Sequence, residues 1–127
     1  MSEGASRLSQ DPAVVAEQIV TALEDAKAQN IRKIDVRGHT SMTDFMIVAS
    51  GTSDRHVKSV AGNLVETMKK AGLRPLGVEG ENDGEWVLVD LQDALVHVML
   101  PRVREFYNLE KLWDIAPAVA ADDSDAP

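Results

Sequence analysis

Trp86-Val87-Leu88-Val89-Asp90-Leu91-Gln92-Asp93-Ala94-Leu95-Val96-His97-Val98-Met99 decides the fold. Two strand-like runs flank Gln92-Asp93, and a two-residue hairpin loop fixes their register. Leu91 then meets Ala94, Val89 meets Val96 and Val87 meets Val98, so one face is wholly apolar. The other face sets Trp86 opposite Met99, Leu88 opposite His97 and Asp90 opposite Leu95. A slip of one residue would mix both faces, so the apolar pattern specifies the pairing.

Upstream, Glu81-Asn82-Asp83-Gly84 reads as a four-residue hairpin loop. That register sets Val78 beside Val87, Leu76 beside Val89, Gly77 beside Leu88 and Glu79 beside Trp86. The meander therefore has a Val and Leu face for core helices. Its second face mixes Trp86, Leu88, Leu95 and Met99 with Glu79, Asp90 and His97.

Further out, Phe45-Met46-Ile47-Val48-Ala49 is continuously apolar, the mark of a strand covered on both sides. Ile34 and Val36 alternate with Asp35 and Arg37 in a half-buried strand. Asp11-Pro12 signals a helix start. Val15, Ile19, Leu23 and Ala26 give that helix one apolar stripe, and it is expected to end near Asn30. Ser53 caps a second helix with Val57, Val60, Ala61, Leu64, Val65 and Met68 inward, closed at Gly72. The strand, helix, strand order makes the runs at 45–49 and 76–79 parallel. After Pro101, the stripe Val103, Phe106, Leu109, Trp113 reads as one or two helical turns. Whether it covers the Trp86 face is open. The fold class is α/β, a single domain with a mixed sheet of about five strands packed with helices.

The chain has 127 residues, no cysteine and a formal net charge of −8. That length suits one domain over residues 11–117, with a flexible start at 1–10 and a disordered acidic tail at 118–127. Disulfides and thiolate metal sites are excluded. No signal-peptide pattern and no run of ~20 apolar residues is present, so the chain is read as soluble and cytoplasmic. An acidic chain with scattered cations grips phosphates poorly, so a basic protein is a better partner than RNA.

Three chemistries can be weighed. Gly51-Thr52-Ser53 at a strand-to-helix turn could hold a phosphate, although a capped turn of this kind is common without a ligand. Glu79, Glu81 and Asp90 could hold Mg²⁺ as in a nucleotidyltransferase. Against that, Glu79 to Glu81 borders a polar turn where acids are expected anyway, and no Lys or Arg lies close in sequence to steady a triphosphate. His39, His56 and His97 have no ligand spacing. No catalytic residue, metal site or cofactor is assigned. Trp86 fits an interface anchor in its polar company, although a plain core role is the alternative.

Thr43-Asp44-Phe45, Ser50-Gly51-Thr52-Ser53 with Arg55-His56, and Glu85 to Asp90 together resemble the Iojap or ribosomal silencing factor family. His97-Val98 and Glu105-Phe106-Tyr107-Asn108-Leu109-Glu110-Lys111-Leu112-Trp113 extend the match, which runs in order from about residue 12 to 117. The resemblance implies a fold related to nucleotidyltransferases without their catalytic carboxylates. It implies binding to ribosomal protein uL14 on the intersubunit face of the 50S subunit, which blocks 30S joining and represses translation, notably under nutrient limitation. A role in large-subunit maturation and a homodimer in the free state are implied too. Within that family's surface, Trp86 matches a binding tryptophan; the strand register extends the partner-binding set to Leu88, Glu79, His97 and Met99. The family often carries Phe where Met99 stands, and an extra small residue after the final Trp.

Overall fold

The computed structural model describes residues 11–112. The expected flexible start, the acidic tail, Trp113 and the end of the domain at 117 lie outside that range.

Helix α1 spans Pro12–Asp25. Asp11 caps it by accepting from the Ala13 amide, and Pro12 begins the first turn. It stops well before Asn30 because Lys27 adopts a left-handed conformation, φ 68°. The Lys27 and Ala28 amides then fold back onto the Glu24 and Leu23 carbonyls, a Schellman closure. No glycine announced it, which is why the apolar stripe alone overran the end.

Strands β1 (Gln29–Asp35) and β2 (Phe45–Ser50) pair antiparallel, with an irregularity between Gln29 and Arg32. Helix α2 (Asp54–Lys70) follows, capped by Ser53 and closed by Gly72 at φ 88°, as expected. The meander is β3 (Gly77–Glu79), β4 (Trp86–Asp90) and β5 (Ala94–Met99), and α3 (Pro101–Tyr107) follows. A further helical turn occupies residues 109–112. Among the described residues no helix is long and apolar enough to cross a membrane.

The five strands lie in the order β1-β2-β5-β4-β3. β2 and β5 run parallel, with Ile47 beside Val96; the other pairs are antiparallel. β3 does share the direction of β2, but it stands at the far edge, with β5 and β4 between them.

The β4–β5 register is the expected one in all five pairs, Trp86 with Met99 through Asp90 with Leu95. The β3–β4 register is displaced by two residues. Val78 pairs with Val89, Glu79 with Leu88 and Gly77 with Asp90. A slip of two keeps every side chain on its face, so the apolar pattern could not detect it. Its physical source is a longer connection than Glu81–Gly84. Gly80 and Gly84 both take positive φ, and the Gly84 amide donates to the Gly80 carbonyl.

Both helices α1 and α2 cover one face of the sheet. Val15, Ile19 and Leu23 meet Val57, Val60, Leu64 and Met68 over Phe45, Ile47, Val87, Val89, Val96 and Val98. A second, smaller cluster sits on the opposite face, where Ile34, Val36, Met46, Val48 and Met99 pack beneath Val103 of α3. Every residue of β2 is buried, because it is covered from both sides.

Candidate functional site

The second sheet face is only partly roofed. Arg104 ties α3 down: its Nη1 donates to Ser50 Oγ at 2.8 Å, and its Nε and Nη2 make a two-point contact with Glu110 at 2.9 Å each. Arg32 stands 3.7 Å from the same carboxylate. The Arg104 guanidinium holds the Glu110 carboxyl below its ordinary pKa. This roof lies over β2 and the end of β5. It leaves Leu88, Asp90 and Leu95 half-buried toward the outer strands.

Trp86 stands at the margin of the roof. It is neither sealed nor free: half-buried, with its indole Nε1–H donating to His97 Nδ1 at 3.0 Å. Tyr107 of α3 lies on its other flank, ring centroids 4.9 Å apart, and Phe106 meets Tyr107 edge-on. Phe106 is 79% exposed and Tyr107 54%. The expected inward stripe therefore fails at Phe106. Val103 points in and Tyr107 flanks Trp86, while Phe106 projects outward and Leu109 packs against the smaller cluster.

His97 is 7% exposed. Burial depresses its pKa to about 4, so the ring is neutral near pH 7. Because Nδ1 accepts from the indole, the proton belongs on Nε2, which is buried without a partner among the described residues. His97 orients Trp86 from below and offers little surface of its own.

The expected partner-binding residues thus separate. Trp86 and Leu88 lie together on the open part of the face. Glu79 is exposed but neighbours Leu88, not Trp86. Met99 keeps its place opposite Trp86 yet is wholly buried, since α3 closes over it, and here it supports the indole from within. Tyr107 and Phe106 join the site without having been singled out. The spacing of Val103 to Tyr107 fits an inward stripe as well as Val103 to Phe106 does, and a helix this short cannot discriminate the two.

The other candidates resolve differently. At the Gly51-Thr52-Ser53 turn the first two backbone donors are already engaged. The Gly51 amide donates to Met99 O, and the Thr52 amide to His56 Nδ1 at 2.9 Å. Ser53 Oγ accepts from the His56 amide. His56 Nε2 reaches the Ala26 carbonyl at 3.1 Å, so this ring clamps the start of α2 to the end of α1. Glu79, Glu81 and Asp90 do not converge: among the described residues no three His, Asp or Glu side chains are placed to hold a metal ion.

Fold and site together define a single α/β domain whose second sheet face ends in an aromatic, half-open margin with acidic surroundings. A family model described as "Ribosomal silencing factor during starvation" matches residues 9–127. The chain is 46% identical to ribosomal silencing factor RsfS of Haemophilus influenzae over 99 residues, 78% of this chain and 97% of that protein. It is 34% identical to a mouse protein named mitochondrial assembly of ribosomal large subunit protein 1, over 78% of this chain and 45% of that one. A crystal structure of a Chromobacterium violaceum protein superposes with a TM-score of 0.81 at 43% identity, covering 83% of this chain and 88% of that one. The chain belongs to the RsfS, or Iojap, family of ribosomal silencing factors, which are not enzymes.

Proposed function

We propose that this chain silences ribosomes by docking its Trp86 face on ribosomal protein uL14 of the large subunit, in the cytoplasm. Bound at the intersubunit face of the 50S particle, it sterically prevents the 30S particle from joining and lowers translation when nutrients are scarce. Family membership supports the silencing role. The observation that carries the docking mode is the half-open indole beside two exposed aromatic rings. Aromatic anchors are the residue type that most often dominates an interface, and a net charge of −8 suits a basic protein surface better than RNA.

The test is sedimentation of the pure protein with separated ribosomal subunits. Co-migration with the large subunit, together with fewer joined ribosomes, is expected. Equal co-migration with the small subunit, or no effect on joining, would overturn the reading. A second reading, large-subunit assembly, is favoured by the name of the mouse relative. It uses the same surface and expects immature subunits to accumulate in a deletion strain growing in rich medium; silencing alone expects a defect mainly on nutrient downshift.

A further inference from the structure

The structure assigns the groove between the 80–85 turn and α3 to an arginine side chain of the docking partner. This deepens the docking reading above and rests on it for the partner's identity. The groove has a volume of about 490 Å³ and is lined by Trp86, Val103, Phe106 and Tyr107 together with Asp83, Glu85 and Arg102. A second groove of about 550 Å³ adjoins it, sharing Asp83, Glu85 and Arg102 and adding Asp54. Across the two, the lining holds three carboxylates and one guanidinium.

That combination selects its occupant. Ring faces of Trp and Tyr attract cations, and a flat guanidinium stacks on them better than an ammonium. A carboxylate then holds the edge of the guanidinium through two parallel hydrogen bonds. A phosphate or another acidic group would meet Asp54, Asp83 and Glu85 and be repelled. The chain already rehearses the contact with its own side chain: Arg102 Nη2 lies 3.4 Å from Glu85 Oε2, in a pair that is 70% and 54% exposed. So exposed a pair is weakly held, and an incoming arginine can displace it.

The experiment titrates Nα-acetyl-arginine amide into the isotope-labelled full chain and follows the Trp86 indole N–H by NMR, assigned with Trp86→Phe. Nα-acetyl-citrulline amide, of the same shape without the charge, is the control. A saturable shift with arginine, at least about five-fold weaker with citrulline, is expected. The same loss is expected with Asp83→Asn/Glu85→Gln, and Arg102→Ala should strengthen the response. Equal responses to the two probes, or no response at Trp86, overturn the assignment, and neither outcome depends on the Asp83→Asn/Glu85→Gln or Arg102→Ala variants folding. Subunit sedimentation separates this assignment from the docking reading. If Trp86→Ala abolishes large-subunit binding while Asp83→Asn/Glu85→Gln leaves it intact, the arginine assignment falls and docking stands. If arginine binds but the chain never sediments with subunits, docking falls and the chemistry of the groove stands.

Discussion

The indole of Trp86 and the imidazole of His97 are joined across the β4–β5 pair by a 3.0 Å hydrogen bond that requires His97 to be neutral. Burial enforces that state, since it lowers the imidazole pKa from 6.5 to about 4. The consequence for stability has a definite sign. Between these values the unfolded chain takes up a proton that the folded chain refuses, so stability rises with pH. The contribution is complete above pH 6.5 and is lost as pH falls toward 4, where it amounts to roughly 3 kcal/mol. Roughly half of it should already be gone at pH 5.5, before most carboxylates titrate. Urea denaturation at pH 7.5 and 5.5 measures it. His97→Gln, which keeps an acceptor but cannot titrate, should flatten the difference; an equal slope in both proteins would deny that His97 is its source.

Trp86→Ala removes the ring that both His97 and Tyr107 contact. If the indole is the anchor of docking, large-subunit affinity should fall at least about 30-fold, equivalent to ~2 kcal/mol. The variant must be folded for the result to count, which circular dichroism checks. Because Met99 is sealed under α3, Met99→Leu should leave binding within about two-fold, as a volume-conserving core exchange does. Co-sedimentation with graded subunit concentrations gives both numbers. A folded Trp86→Ala protein with unchanged affinity would remove the indole from the contact.

The sequence made one half of the meander legible and misplaced the other for a reason of symmetry. Gln92-Asp93 left a single two-residue turn compatible with an all-apolar face, and Gln92 accepts φ 72° to make it. The connection before Trp86 has two glycines and no such constraint, so a two-residue displacement passed unseen and carried Glu79 away from Trp86. Burial of Met99 was illegible for a different reason. It depends on where α3 lands, and that is decided by Arg104 reaching Ser50, 54 positions away, and Glu110. Periodicity within a segment carries no information about such a long-range tie.

That tie should behave as a latch for α3. Arg104 and Glu110 side chains are 13% and 16% exposed, so the pair is shielded from water and its loss is felt more than that of a surface bridge. Arg104→Ala leaves Glu110 and Ser50 without their main partner and should cost about 2 kcal/mol of local stability. Hydrogen exchange reads this directly: amides of Val103 and Asn108 should exchange about 30-fold faster, while those of β2 and α2 stay protected. The lowered carboxyl pKa adds a pH signature. The latch is at full strength above pH 4.5 and is lost as pH falls through the depressed value. Uniform acceleration across the whole chain would mean that α3 has no separate opening.

Two glycines should respond to alanine with opposite signs. Gly80 sits at φ +88°, and a Cβ there would lie 2.0 Å from the Trp86 carbonyl oxygen and 3.1 Å from its carbon. Both obstacles are backbone, so nothing can swing aside, and the turn must move with β4 attached. Gly80→Ala should therefore lose more than ~2 kcal/mol and disturb the Trp86–His97 hydrogen bond. Gly62 is an exposed position inside α2, with open space where its Cβ would stand. There alanine restricts the unfolded chain and favours helix, for a gain of about 0.5 to 1 kcal/mol. Thermal denaturation of both variants gives the signs, and the Trp86 indole N–H resonance reports whether the turn has moved. A Gly80→Ala protein with native stability and an unshifted indole signal would show that the 80–85 turn does not set the position of Trp86, and the groove beside it would need another architect.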